Sequence, residues 1–166
     1  KNSALFEVAA GHNLTYTNLN WEGGGLVHAG TITSLPADFT VGSGKYITKG
    51  VTPTFDNLTI QDGGTVTHWG NTDTHTYDLQ MTINQNLDIQ AGGKIDVSSL
   101  GYTYRNGPGA GAGSTNRYGT GASYGGWGGA NSANGPYGSI ENPVDIGSGG
   151  GSSGGSGGGL AILNVS

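Results

Sequence analysis

Asp88, Lys94 and Asp96 fall in one short stretch, "LDIQAGGKID", Leu87 to Asp96. A polysaccharide lyase needs a base such as Lys beside a charge-neutralising group, and a glycosidase needs two carboxyls about 5–9.5 Å apart. These three side chains are the nearest the chain comes to either set. Exposed polar residues on alternating strand positions are expected whatever a protein does, so a polysaccharide-active enzyme is the alternative reading and a non-enzymatic role leads. Asp62, Asp73, Asp78 and Asp145 stand near turn-forming residues and could offer oxygen ligands to Ca2+. The calcium-binding nonapeptide repeat requires G-G-x-G-x-D, however, and "GGTVTH" and "GGKIDV" depart from it at the fourth place. Solvated acids at turns, with no cofactor, is the expectation. His12, His28, His68 and His75 lack the convergent spacing of a zinc site and are expected to face solvent. The glycine loops do not sit between a strand and a helix, which excludes a phosphate cradle.

Aromatic rings are the better lead. Tyr104, Tyr118, Tyr124, Trp127 and Tyr137 punctuate glycine-rich sequence, and Trp69 and Tyr102 stand nearby. Flat rings beside glycine can stack on sugar faces or form a lateral contact. The competing role is to cover glycines as part of a core, because exposed aromatic area is costly.

The elements that would position these residues come from a repeat. "LTIQDGGTVT" from Leu58 and "LDIQAGGKID" from Leu87 align without gaps with "FEVAAGHNLT" from Phe6, "LNWEGGGLVH" from Leu19 and "FTVGSGKYIT" from Phe39. Places one and three are apolar with a polar residue between, the period of a strand. Gly at place six marks a tight bend, where positive φ costs glycine nothing. Each unit reads as strand, corner, strand. Spacings mostly near 20 residues fit stacked coils, so the expected fold is all-β: a parallel β-helix (β-solenoid) with a glycine-rich loop or cap region. An antiparallel β-sandwich is the alternative. The expected inward stack is Phe6, Val8, Leu14; Leu19, Trp21, Val27; Phe39, Val41, Ile47; Leu58, Ile60, Val66; and Leu87, Ile89, Ile95. Thr40, Thr48, Thr59, Thr67, Asp88 and Asp96 are expected outside. An insertion before Leu87 could add a strand at "DLQMTIN".

The expected organisation is one structural domain: coils over residues 1–101, a glycine-rich region over 102–159 and a final strand over 160–166. "GGKIDVSSLGY", "GPGAG", "GASYGGWGG", "YGSIENPVDIGSGGG" and "GGGLAILNVS" together resemble a module of large glycine-rich secreted or cell-surface proteins, bacterial adhesin-like chains among them, expected to form right-handed parallel β-helices. The resemblance covers roughly residues 86–166. It implies surface display and a structural or adhesive role, and it supplies no catalytic residues.

Composition narrows the classes further. Glycine occupies 35 of 166 positions, charged residues make up 10% and net charge is −5. The few Lys and Arg residues form no stripe for nucleic acid. With no cysteine there is neither a disulfide framework nor thiol chemistry. No apolar run is long enough for a membrane helix, so membrane insertion is not expected. The start, "KNSALFEVAAGHNLTY", lacks the apolar region of a signal peptide, which suggests a mature chain or a fragment. Asn13, Asn57 and Asn164 begin N-x-S/T sequons. The expected partners are copies of the chain itself, joined head to tail or side by side, and polysaccharide or cell-surface glycan. The expected location is extracellular.

Overall fold

The computed structural model describes residues 4–15, 24–33, 35–113, 119–129, 134–152 and 154–166. Leu19, Trp21 and Tyr118 lie outside them. The chain is all-β, with no helix among the described residues. Its strands are β1 (Leu5–Val8), β2 (Asn13–Thr15), β3 (Gly25–His28), β4 (Thr31–Thr33), β5 (Asp38–Val41), β6 (Lys45–Thr48), β7 (Thr54–Ile60), β8 (Thr65–His68), β9 (Leu79–Ile89), β10 (Lys94–Ile95) and β11 (Ala161–Val165). Residues divide into two compact units. Unit 1 holds Lys1–Trp69, Leu79–Asp96 and Ile162–Ser166; unit 2 holds Gly70–Asp78 and Val97–Ala161.

Unit 1 contains a five-stranded sheet in the order β1-β3-β6-β8-β10, a four-stranded sheet β11-β9-β7-β5 and the pair β2-β4. Every strand pair whose register is defined runs parallel. Strands on either side of a corner go to different sheets: β5, β7 and β9 to one, β6, β8 and β10 to the other. The corners are therefore not hairpins.

Glycine chemistry explains the repeated corner. Place six adopts positive φ at Gly11, Gly24, Gly63 and Gly92, which an L side chain rarely tolerates. The next glycine is required for a different reason. A Cβ on Gly93 would land on the backbone carbonyl of Ile60, and one on Gly64 on those of Gly42 and Val41. Corners stack backbone on backbone.

Registers place Phe39 beside Leu58 and Leu58 beside Leu87, with Val41, Ile60 and Ile89 in the next column. Phe39, Val41, Leu58 and Ile60 are buried, whereas Ile89 is 45% exposed. β9 begins at the anticipated "LQMTIN" and runs on through Ile89, with Leu79, Met81 and Ile83 fully enclosed. The Phe39 ring stacks on Phe55 at 4.8 Å, and both meet Tyr46 edge-on. These rings join the two larger sheets across one core.

Place nine does not form the single column expected of it. Val27 and Ile47 align with Thr67, whereas Val66 and Ile95 align with Tyr46. Three residues, 42–44, separate β5 from β6, while four, 61–64, separate β7 from β8. A one-residue difference moves the following strand onto its other face. Tyr46 accordingly takes the core position, and Thr48, expected outside, is fully buried. Thr67 is also buried; its hydroxyl donates to the Asp96 carbonyl at 2.6 Å. Leu14 pairs with Ile32 in the small sheet rather than joining the large one. Phe6, expected inside, is 57% exposed on edge strand β1.

The outside of the four-stranded sheet carries a side-chain ladder. Asn86 Nδ2 donates to Asn57 Oδ1 at 2.8 Å, and Asn57 Nδ2 donates to Asp38 Oδ1 at 2.6 Å. Across the other sheet, Lys49 Nζ reaches Glu7 Oε1 at 2.7 Å and lies 4.7 Å from the Trp69 ring centroid.

Unit 2 is held by backbone contacts between glycines. Gly101 donates to the Gly157 carbonyl, Gly147 to Gly158, Gly111 to Gly149, and Gly151 to Thr120. Cβ atoms at Gly101, Gly111, Gly149, Gly151 or Gly157 would collide with backbone atoms of neighbouring segments. Removing side chains lets these segments approach closely enough to satisfy one another's peptide groups. Asn71 organises the start: its Oδ1 accepts from the Thr76 and Tyr77 amides, and its Nδ2 donates to the Tyr77 and Leu100 carbonyls, all at 2.8 Å.

Candidate functional site

The aromatic candidates of unit 2 fall into two environments. Tyr137 is a structural post. Its hydroxyl donates to the Ile146 carbonyl at 2.5 Å and accepts from Ser148 Oγ at 2.9 Å, while Ser148 Oγ accepts the Gly109 amide. Burial pushes the Tyr137 hydroxyl pKa above its ordinary value, against the lowering effect of the Ser148 bond. The Tyr124 ring meets Tyr137 edge-on at 5.0 Å and lies so close to Gly138 that a Cβ there would sit 2.7 Å from it. Gly138 has a φ of 66°, so glycine is required at that position twice over. These two rings cover glycine backbone.

Trp127 is placed differently. It is 73% exposed, with Ile140 at 79% and Val144 at 54% in the same unit. The Ile140 side chain lies over Gly125, and a Cβ on Gly135 would meet the Trp127 ring edge at 3.7 Å. Loop chemistry holds this surface: Ser123 Oγ donates to the Asn134 carbonyl and accepts the Gly128 amide. Tyr104 is 43% exposed, with the Arg105 guanidinium 5.9 Å from its ring centroid. Exposed rings next to glycine can lie flat on an apolar partner or on a sugar face.

The acid–base candidates are tied to near neighbours. Lys94 Nζ meets Asp96 Oδ2 at 2.8 Å, and Gln90 Nε2 donates to Asp88 Oδ2 at 3.1 Å. Among the described residues no three His, Asp or Glu side chains come together as a metal group would require. His75 Nε2 lies 3.5 Å from Asp78 Oδ2, and Asp73 accepts from the Thr72 hydroxyl.

Two histidines correct the expectation of solvent-facing rings. His28 is 5% exposed and His68 is 1% exposed. Registers align His28, Thr48 and His68 in one column. His28 Nδ1 bonds the Tyr46 hydroxyl at 2.6 Å, and His68 Nδ1 bonds the Trp69 carbonyl at 2.7 Å. The signal available in sequence was "LVH" beside "TVTH", in which His occupies the place of Thr48 once the shorter corner is allowed for. Compared with known proteins, the chain matches no family model, no curated sequence and no solved structure.

Proposed function

We propose that the chain is a non-enzymatic structural and adhesive module of an extracellular or cell-surface fibre, in which unit 1 forms coils of a parallel β-helix. One observation carries this reading: a core column runs without a break to an edge strand and arrives there uncovered. Phe6 aligns with Leu26, Tyr46 and Val66, which are buried, yet is itself 57% exposed on β1. On β9, which lies between β7 and β11, Ile89 aligns with buried Val41 and Ile60 and is also 45% exposed. An edge strand offering both free backbone groups and the next apolar residue of a column is a template for another strand. The partner that fits is a second copy of the chain, and a head-to-tail contact that does not close generates a filament. The exposed Trp127, Ile140 and Tyr104 of unit 2 then serve lateral or glycan contact.

Negative-stain electron microscopy with sedimentation velocity on the same sample tests this. Narrow uniform fibres are expected, with a large shift toward discrete particles on Phe6→Asp. Discrete particles from the unaltered chain at every concentration would overturn the filament assignment.

A further inference from the structure

The outside of the five-stranded sheet carries a groove of different chemistry. Registers set Leu5, Gly25, Lys45 and Thr65 in one row across β1, β3, β6 and β8. This row alternates with the core column of Leu26, Tyr46 and Val66, so it projects to the opposite face. Gly25 leaves a notch in the row: the Leu5 side chain lies over it, and a Cβ there would sit 2.7 Å from Leu5 Cδ2. The resulting open groove has a volume of about 390 Å³, with Leu5 and Ile47 among its apolar lining, Ser43, Lys45 and Thr65 among its polar lining, and corner glycines such as Gly63 beside them.

Lys45 is the only Lys or Arg among the described residues whose side chain has no partner. Lys49 is paired with Glu7, Lys94 with Asp96, and Arg105 stands over Tyr104. The hydroxyls of Ser43 and Thr65 likewise have no protein partner among the described residues. One unpaired cation, two unpaired hydroxyls and an apolar floor call for a ligand that combines an anion, hydroxyls and a C–H face. A peptide strand fits poorly, because β3 and β6 are already paired on both sides and offer no edge for main-chain bonding.

We propose that this groove binds a carboxylated oligosaccharide. The uronate carboxylate meets Lys45 Nζ, ring hydroxyls engage Ser43 and Thr65, and the sugar's C–H face lies on Leu5 and Ile47. The row crosses four strands at about 4.8 Å each, which suits a short segment of a polyuronate chain. The proposal does not rest on the filament reading and uses none of the aromatic residues of unit 2.

Calorimetric titration with trimers of galacturonate, mannuronate and guluronate, each beside its methyl ester, tests the proposal. At least one free acid should bind more tightly than its ester, more weakly as salt is added, and about fivefold more weakly after Lys45→Gln. Amide chemical shifts should move at Ser43, Gly63 and Thr65. Lys45 is exposed, so its variant should keep the parent circular dichroism and urea midpoint; Ser43→Ala provides a second, uncharged variant that should weaken binding of acid and ester alike. Failure of all three acids to bind at millimolar concentration would overturn the proposal. So would affinity indifferent to Lys45→Gln, or shifts that map elsewhere.

Discussion

His28 Nδ1 lies 2.6 Å from the Tyr46 hydroxyl oxygen, inside a core where His28 is 5% exposed and Tyr46 is fully enclosed. Burial lowers the His28 pKa below its ordinary value, and a bond to the Gly30 backbone opposes this only in part. Below pH about 6.5 the unfolded chain takes up a proton that folded His28 resists, so stability is full above that value and declines as pH falls through the lowered pKa. Urea midpoints measured from pH 8 to pH 5 should show the decline beginning near 6.5, before most carboxylates titrate. His28→Gln should flatten this segment of the curve while lowering stability throughout.

Glycines of the corners and of unit 2 should be sensitive according to what their missing Cβ would meet. Gly93→Ala drives a carbon into the Ile60 carbonyl and should cost about 3 kcal/mol through backbone displacement. Gly155→Ala meets nothing within 4 Å and should stay within about 0.5 kcal/mol of the parent. Denaturant unfolding of the two variants checks the contrast.

Tyr137→Phe and Trp127→Ala should separate structure from surface. The first removes the hydroxyl that links buried Ser148 to the Ile146 carbonyl, costing about 1–3 kcal/mol. The second leaves folding unchanged, within about 0.5 kcal/mol, and should weaken any glycan binding that uses the exposed ring. Thermal unfolding and a glycan array on both variants read the two effects.

Lys49→Ala should cost less than its geometry suggests. The contacts to Glu7 and Trp69 are partly solvated, so a loss of about 0.5–1 kcal/mol is expected, shrinking as salt is raised. Unfolding at low and high ionic strength checks this.

Much of the sheet layout was legible in the repeat. The pattern apolar, polar, apolar is local, and it located the columns of Phe39, Leu58, Leu87 and of Val41, Ile60, Ile89. Positive φ at place six was legible for the same reason in four of the five units, since it is a property of one turn; Gly44, in the three-residue corner, does not adopt it. The face of β6 was not: it depends on a corner one residue shorter than those that follow it between β7 and β8 and between β9 and β10, which ungapped alignment conceals. Burial of His28 followed from the same exchange of faces in β3, where Val27 was expected inward, whereas His68 stands two residues after inward Val66 and was legible from alternation alone. Tyr124 and Trp127 are both rings in glycine-rich sequence, and what separates them is a contact between Tyr124 and Gly138 that no local pattern announces. The Lys45 groove draws residues from positions 5 to 65 together and needs the register before it can be recognised.

The glycine packing of unit 2 also bears on temperature. Unfolding a region held by backbone laid on backbone exposes mainly peptide groups, whose hydration lowers the heat capacity, rather than apolar side chains, whose hydration raises it. Unit 2 should therefore contribute less heat capacity per residue than the aromatic and aliphatic core of unit 1, and its own stability curve should be flatter. Cooling, which weakens hydrophobic cores, would leave this part of the chain comparatively untouched.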